Sequence, residues 1–370
     1  MKIPLVDLKA QYRAHEGEFR AALEQCLTNT AFVGGPELTA FEKEFAEFCG
    51  GGHVVGCGNG TDALTLALLD LLGPGDGTGE IVTVAHTFIA TSEAISTAGY
   101  RPVFVDVDAD TGLMDLTKTA ASIGPATRAL MPVHLYGQMV AMDRLMALAD
   151  KHGLKVIEDA AQAHGATWQG KGPGQWGHAA CFSFYPGKNL GAWGDGGAVF
   201  TRDAGLAARI RKRANHGRQD KYLHEFEGVN SRLDGLQAAI LRVKLRHLAQ
   251  GNAARRQAAK WYDGFLAGNN RVTLPHAQPD AAHVFHLYVI QLDARDRVMK
   301  ALNERGIGAG VHYPVPLHEQ PAYKHLGLAP DSLPVTSRLA RRVLSLPIFP
   351  EITRDQVEHI ARAVNELTAA

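Results

Sequence analysis

The sequence has few cysteines, no long apolar run and no excess of charge of either sign. Its 370 residues include 38 basic and 38 acidic side chains, so the formal net charge is zero. A nucleic-acid-binding protein needs a basic surface to displace counterions from phosphates, so this balance argues against that function. The apolar run at 64–72 contains Asp70 and is shorter than the ~20 residues that cross a bilayer. We therefore expect a buried helix there, with no membrane partner.

The four cysteines are scattered along the chain and form no Cys-x-x-Cys pair; they are Cys26, Cys49, Cys57 and Cys181. Such spacing fits neither a disulfide framework nor a zinc site, and it is typical of small buried residues in a reducing compartment. The first residues, MKIPLVDLKAQYRAHEGEF, carry charges every few positions and lack the apolar core of a signal peptide. We therefore expect a cytoplasmic protein without a metal site.

Short β-rich runs alternate with amphipathic segments between residues 54 and 200. The β-like runs lie at 81–84, 102–107, 128–134, 154–158 and 180–184. Helix-like segments include 142–151, which is followed by His152-Gly153, and 203–215, which ends near Gly217. This alternation predicts an α/β fold with a mostly parallel sheet, in which the helices are the crossover connections.

A long amphipathic segment at 236–266 is predicted to be one helix that leaves the first domain. Beyond it, the pattern predicts a strand at 286–292, a helix at 294–305, a strand near 307–311 and a closing helix after Thr353. The Pro-rich stretch at 312–323 is expected to be an ordered loop, because proline lacks the amide donor that a helix needs. We accordingly divide the chain into a large domain at 1–245 and a small α/β domain at 246–370.

Lys188 follows a β-like run and lies among glycines in the segment FSFYPGKNLGAWGDGGAV, at 182–199. A lysine in a glycine-rich loop is commonly a plain surface residue. A Walker-type phosphate loop needs a lysine followed by Ser or Thr, whereas Asn189 follows Lys188. The residues alone therefore disfavour a nucleotide triphosphate site and leave a surface lysine and a reactive lysine both open.

Asp159 ends the apolar run KVIED, and the carboxyl ends of parallel strands commonly form ligand crevices. A carboxylate there can keep a pyridine nitrogen protonated, which makes the ring of a bound cofactor an electron sink. Alternatively, Asp159 caps a helix that begins at Ala160, and Gln162 completes a capping box. The two roles can coexist.

The segment GNGTDALTLALLDLL at 58–72 places a glycine turn directly before an apolar helix. Free amides and the positive end of the helix dipole favour a phosphate at such a terminus, and Thr61 can add a hydroxyl. The preceding GCGNG is not a dinucleotide fingerprint, because Thr61 occupies the place of the third glycine. A plain turn without a ligand is the alternative interpretation.

Four motifs, GNGTDAL, DAAQAHGA, FSFYPGKNLGAWGDGGA and NSRLDGLQAAIL, have an order and spacing that resemble the DegT/DnrJ/EryC1/StrS family of sugar aminotransferases. The resemblance extends over essentially the whole chain, from PLVDLKAQY to SLPIFP. It implies the aspartate-aminotransferase fold (fold type I), pyridoxal 5'-phosphate (PLP) as cofactor, a homodimer with shared active sites, and L-glutamate as amino donor. One departure is GDGTGE at 75–80, which is longer than the family's usual GDE and which we place on a distal loop.

The resemblance also implies roles for single residues. Lys188 corresponds to the lysine that binds PLP as a Schiff base, Asp159 to the partner of the pyridine nitrogen, and Gln162 to the partner of the ring hydroxyl. Phe88 corresponds to the aromatic residue that stacks on the cofactor ring. The implied phosphate ligands are Gly60, Thr61, Ser183 and, from the neighbouring subunit, Asn230. Some members have histidine instead of the lysine and are dehydratases, so the presence of Lys188 favours aminotransfer.

Arg232, His312 and Tyr313 resemble residues at the sugar end of the family's site, although ion pairing or packing is the alternative for each. The run HYPVPLHEQPAY is most similar to members that aminate a nucleotide-linked 3-keto sugar for polysaccharide or glycoconjugate synthesis. Members that aminate 4-keto sugars, as perosamine synthases do, are the nearest alternative. An NAD-dependent dehydrogenase and a non-catalytic regulatory relative are more distant alternatives.

Overall fold

The computed structural model describes residues 2–369. Its helices are α1 Leu8–Ala14, α2 Glu16–Thr28, α3 Gly35–Phe48, α4 Gly60–Leu72, α5 Ala90–Thr97, α6 Leu116–Ser122, α7 Met142–His152, α8 Ala204–Arg213, α9 Gly235–Leu266, α10 Arg295–Glu304, α11 Pro334–Arg342 and α12 Arg354–Ala369. Its strands are β1 His53–Cys57, β2 Glu80–Val84, β3 Arg101–Val105, β4 Thr127–Leu130, β5 Lys155–Asp159, β6 Thr167–Trp168, β7 Ala179–Ser183, β8 Gly197–Thr201, β9 Ala281–Ala282, β10 Tyr288–Gln291 and β11 Val343–Leu346.

Within these residues, seven strands form a central sheet in the order β1-β8-β7-β5-β4-β2-β3. Parallel pairing joins β3, β2, β4, β5 and β7, whereas β8 is antiparallel to both β1 and β7. The predicted α/β fold with a mostly parallel sheet is therefore confirmed. Helices cover both faces, and β8 is buried along its whole length, as expected for strands in a doubly covered sheet.

The sheet brings distant parts of the sequence to one edge. Asp159 ends β5 and Ser183 ends the parallel neighbour β7, so both lie at the same edge. Because β8 runs antiparallel to β7, with Gly197 opposite Ser183, the loop at 184–196 leaves and returns at that edge too. Gly197 is also opposite Cys57, so α4 begins there as well. A crevice formed by these four elements follows from the strand order.

A second, smaller core surrounds β10 and β11, which pair antiparallel. The predicted strand near 307–311 is wrong, since Ile307 and Gly310 form only isolated bridges, to Ile3 and Ser345 respectively. The backbone hydrogen bonds of this segment go instead to the start of the chain, where Ile3 donates to the Gly306 carbonyl and accepts from the Gly308 amide. The partner of β10 is instead β11, a four-residue strand that directly follows α11 and that the sequence pattern did not reveal.

The 32-residue helix α9 agrees with the predicted connecting helix and continues without a break through residues 245 and 246. Its second half, including Ala258 and Tyr262, belongs to the smaller core, together with Ile3 from the start of the chain. The division into domains at 245/246 stays a prediction. The Pro-rich stretch at 312–323 contains short 3₁₀ turns, at Leu317–Glu319 and from Pro321 onward, instead of an α-helix.

All four cysteines are buried and free, as the sequence predicts. Among residues 2–369, no helix combines the length and the apolar character that a bilayer crossing requires. The run at 64–72 lies in α4, whose residues Leu64, Leu66 and Leu68 are buried, so its prediction as a buried helix is confirmed.

Candidate active site

A cavity of about 800 Å³ opens at the sheet edge where these elements meet. Nine of the eleven site residues singled out from the sequence line it, and these are Gly60, Thr61, Phe88, Asp159, Gln162, Ser183, Lys188, His312 and Tyr313. A groove of about 860 Å³ between α3 and α8 is more open to solvent and contains none of the eleven. The residues predicted to be functional therefore lie together at the cavity beside the sheet, and not in this groove.

Lys188 lies in a tight loop at the wall of this cavity. Its backbone amide donates a hydrogen bond to the Tyr185 carbonyl at 2.8 Å. Gly191 is needed where the loop folds back, because an added Cβ would come within 2.4 Å of the Pro186 carbonyl oxygen. Burial lowers the pKa of Lys188 to about 8, against the opposing effect of the Asp159 carboxylate. The loop thus presents an amine that is neutral far more often than an ordinary lysine.

The carboxylate of Asp159 is held by two donors. Its Oδ2 accepts from Thr91 Oγ1 at 2.7 Å, and its Oδ1 accepts from the Ala161 backbone amide at 3.1 Å. Residues 160–166 form turns and no helix, so the interpretation of Asp159 as a helix cap is wrong. Thr91 was not predicted from the sequence, because its contact with Asp159 joins residues 68 positions apart.

The side-chain amide of Gln162 has a defined orientation. Its Oε1 accepts from the Tyr136 backbone amide at 2.7 Å, which directs Nε2 towards the Tyr313 hydroxyl at 3.2 Å. Since Gln162 lines the cavity, the amide hydrogen that is not directed at Tyr313 is the donor that it can offer to a ligand there. The capping box that was the alternative role for Gln162 does not form.

The first turn of α4 forms the opposite wall. The Asn59 side chain caps the helix by accepting from the Asp62 amide at 2.8 Å. Gly60 and Thr61 are the first two helical residues, so their amides have no acceptor within the helix. A Cβ on Gly60 would come within 2.7 Å of Ser183 Cβ, so glycine allows the helix terminus to approach the end of β7. These amides and the two neighbouring hydroxyls can receive a phosphate group.

Aromatic and imidazole groups line the rest of the cavity. The Phe88 ring is 54% exposed, and its centroid is 5.7 Å from that of Tyr313. His312 has its Nδ1 2.8 Å from Ser345 Oγ. Burial, assisted by the positive charge of Lys188, lowers the pKa of His312 to about 4, so its imidazole is neutral near pH 7. His286, which was not singled out from the sequence, also lines the cavity.

Asn230 and Arg232 lie on the surface and outside this cavity. Asn230 forms an isolated bridge with Asn215, and Arg232 donates from Nη1 to the Asn215 side chain at 3.4 Å. Both are exposed in the single chain. The predicted role of Asn230 in a neighbouring subunit, and that of Arg232 at the sugar end, stay predictions.

The chemistry of the donor set fits PLP. Lys188 supplies an amine that can attach to an aldehyde, and Asp159 supplies a carboxylate for a ring nitrogen. Phe88 supplies an exposed aromatic face, while the first-turn amides of Gly60 and Thr61 supply phosphate donors. All of these residues line one cavity.

Comparison with known proteins supports the same assignment. The model of the DegT/DnrJ/EryC1/StrS aminotransferase family matches residues 13–365. The chain is 46% identical over 366 residues to dTDP-3-amino-3,4,6-trideoxy-α-D-glucose transaminase of Streptomyces venezuelae, covering 99% of this chain and 96% of the relative. It is 47% identical over 363 residues to UDP-N-acetyl-3-dehydro-α-D-glucosamine 3-aminotransferase of Acidithiobacillus ferrooxidans, covering 98% and 97%. The crystal structure of S. venezuelae DesV in complex with a ketimine intermediate matches with a TM-score of 0.97 at 45% identity, covering 100% of this chain and 99% of DesV.

The lowered pKa of Lys188 predicts how cofactor attachment depends on pH. Only a neutral amine attacks an aldehyde, so the rate at which PLP attaches to the cofactor-free protein should rise with pH and level off above about pH 8. The absorbance change after mixing with PLP measures this rate, and Lys188→Ala provides the background from surface lysines. If the rate still rose tenfold per pH unit near pH 10, the pKa of Lys188 would be that of an ordinary lysine.

Proposed function

Because this chain belongs to the DegT/DnrJ/EryC1/StrS aminotransferase family, we propose that it transfers the amino group of L-glutamate to a nucleotide-linked 3-keto sugar. The product is a 3-amino sugar nucleotide for polysaccharide or glycoconjugate synthesis. The enzyme is a PLP-dependent aminotransferase. The observation that carries the proposed substrate class is that the names of both relatives above place the reaction at sugar carbon 3.

Lys188 has two tasks in this proposal. Lys188 would hold PLP through its ε-amino group, and when free of the cofactor its neutral ε-amino group would take the proton from the carbon next to the transferred nitrogen. PLP, when bound, supplies an electron sink that stabilises the negative charge left on that carbon. The lowered pKa of Lys188 suits both tasks, because each requires the amine without its extra proton.

Asp159 supports the reaction through its fixed negative charge. A carboxylate directed at the ring nitrogen favours the protonated ring, which accepts electrons better than the neutral one. The hydroxyl of Thr91 and the amide of Ala161 hold the two oxygens of Asp159 in place. Thr91, in the first turn of α5, therefore influences the reaction by holding the Asp159 carboxylate in place.

Beside the acidic side chains of Asp62, Glu93 and Asp195, uncharged polar groups line the cavity. His312 is neutral because of burial, and burial together with the Asp159 charge raises the pKa of Tyr313, so its hydroxyl stays protonated. His312 and Tyr313 can form hydrogen bonds to sugar hydroxyls, while the Gln162 amide is proposed to bind the ring hydroxyl of the cofactor. Uncharged hydrogen-bonding groups of this kind suit a sugar with several hydroxyl groups. The negatively charged diphosphate of the nucleotide would then be bound by residues outside this cavity.

The second half of the proposal is a homodimer with shared active sites. Asn230 and Arg232 lie two residues apart on an exposed segment, and we place them at the cavity of the neighbouring subunit. Apolar side chains are exposed close to this segment and to the cavity mouth, namely Val229, Tyr185, Trp193, Phe32 and Val33. Exposed apolar groups of this kind favour a protein partner, and here a second copy of the chain completes the site. The cytoplasm, where the scattered free cysteines stay reduced, is the proposed location.

Replacing Thr91 by valine removes the hydroxyl that binds Asp159 while keeping the shape of the side chain. We expect Thr91→Val to lower the rate of amino transfer about tenfold, because a hydrogen bond to a charged group is worth ~1.5–3 kcal/mol. Thr91→Ser should restore most of the rate. The control is Ser92→Ala, since Ser92 donates to the Tyr323 hydroxyl at 2.6 Å, away from the cavity. Equal losses in both variants would mean a general packing effect.

A mixing experiment tests the shared site. Lys188→Ala and Asn230→Lys should each be inactive as homodimers, but a heterodimer of the two contains one site with both native residues. Random pairing should return about a quarter of the wild-type activity, because half of the dimers are mixed and each has one intact site. A mixture without activity, or an active Asn230→Lys homodimer, would contradict the shared arrangement.

The substrate class is tested with L-glutamate and a panel of nucleotide-linked 3-keto and 4-keto sugars. We expect 2-oxoglutarate and an amino sugar to form with 3-keto members only, and mass spectrometry can measure both products. The same samples, reduced with borohydride and digested, should carry the cofactor label on Lys188. Amination of 4-keto sugars alone would favour the perosamine-type alternative.

A further inference from the structure

His286 is a buried residue of the cavity with no role in the site described above. It is 8% exposed, lies two residues before β10 and lines the same cavity as Lys188. Its Nδ1 is 3.2 Å from Oδ1 of Asn189, the residue that follows Lys188 in the sequence. A hydrogen bond thus joins the imidazole of His286 to the loop that carries Lys188.

The side chain of Asn189 has one permitted orientation. Its Nδ2 donates to Asn252 Oδ1 at 2.9 Å and to the Val284 carbonyl at 3.1 Å. Asn252 is itself oriented, because its Nδ2 donates to the His164 carbonyl at 2.8 Å. Asn189 therefore presents its oxygen to His286. Since an amide oxygen only accepts hydrogen bonds, His286 must carry a proton on Nδ1.

The second nitrogen of His286 consequently has a free lone pair. Burial lowers the pKa of His286 well below its usual value, and the positive charges of Lys188 and Arg255 act in the same direction. The ring is therefore neutral near pH 7, with its only N–H directed at Asn189. What remains at Nε2 is a hydrogen-bond acceptor.

We propose that Nε2 of His286 accepts a hydrogen bond from the ε-amino group of Lys188 whenever this group is not bound to PLP. His286 is then a positioning residue, which orients the free amine and stabilises it after it has taken up a proton. The inference depends on the proposed function only in that Lys188 is released and protonated during turnover.

The other groups that face Lys188 differ from His286 in their partners. Asp159 is held by Thr91 and Ala161 and is the carboxylate proposed for the ring nitrogen of the cofactor. His312 bonds through Nδ1 to the Ser345 hydroxyl, which can donate or accept, so this contact does not fix its tautomer as Asn189 fixes that of His286. His164, whose pKa Lys188 also lowers, is packed against Phe182 and Phe184 and is not part of the cavity wall.

A hydrogen-bond acceptor stabilises an ammonium group more than a neutral amine, so His286 should raise the pKa of Lys188. In His286→Leu, the midpoint of the pH dependence of PLP attachment should therefore fall by about half a unit or more. His286→Gln should shift less, because its amide nitrogen can donate to Asn189 while its oxygen accepts from Lys188. The matched control is His283→Leu, which removes another buried histidine of the same segment. His283 does not line this cavity, and its Nδ1 accepts a hydrogen bond from the Phe285 amide at 2.8 Å.

Two further measurements separate positioning from packing. Nitrogen-15 NMR of histidine-labelled full-length protein should show His286 with a protonated Nδ1 and a bare Nε2 throughout pH 6–9. Rapid-mixing kinetics should show that His286→Leu slows the half-reaction with L-glutamate and the half-reaction with the keto sugar by a similar factor, about tenfold. His286→Gln should recover most of both rates.

The inference is overturned if the midpoint is unchanged in His286→Leu, if His286→Gln is no better than His286→Leu, or if NMR finds the proton on Nε2. It is also overturned if only the sugar half-reaction slows, since His286 would then bind the substrate instead of Lys188. The NMR and attachment measurements need no sugar. A failure of the proposed 3-keto substrate would therefore leave these results unaffected and would be recognised separately.

Discussion

Backbone-to-backbone packing between the start of α4 and the ends of β7 and β8 is the constraint on which the site depends. A Cβ on Gly197 would come within 2.3 Å of the Asn59 carbonyl oxygen, and one on Gly60 within 2.7 Å of Ser183 Cβ. Only glycine permits this approach. Because the segments are in contact, the free amides of α4 open into the same cavity as Lys188. A phosphate site and a reactive amine are thus held at a fixed separation by the sheet itself.

The charge distribution in the cavity follows from burial. A low-polarity environment disfavours charge, which lowers the pKa of Lys188 and keeps His286 and His312 neutral. Asp159 keeps two hydrogen-bond donors that compensate its removal from water. The cavity therefore combines a carboxylate held by two donors, a lysine whose pKa is lowered to about 8 and two neutral imidazoles, an arrangement suited to moving protons at near-neutral pH.

The sequence reveals those parts of the site that depend on local pattern. A strand end at Asp159 and a helix start at Gly60 follow from periodicity and turn chemistry, and the structure places both at one edge. The residues alone left Lys188 undecided, and only the resemblance of four motifs gave it a role. Contacts between residues far apart in sequence were not predictable, since no local pattern encodes them. Examples are Thr91 with Asp159, 68 positions apart, and His286 with Asn189, 97 apart.

The two cores share helix α9 and strand β10, whose Val289 belongs to the larger core and whose Tyr288 and Ile290 belong to the smaller one. A helix of 32 residues is about 48 Å long, and a sharp kink in it would interrupt its backbone hydrogen bonds. A large swing of one core against the other would also have to unpack one face of β10. The walls of the cavity come from both parts of the chain, with Lys188 before α9 in the sequence and His286 after it. A ligand that fills the cavity therefore contacts both cores, and its binding should help to hold them together.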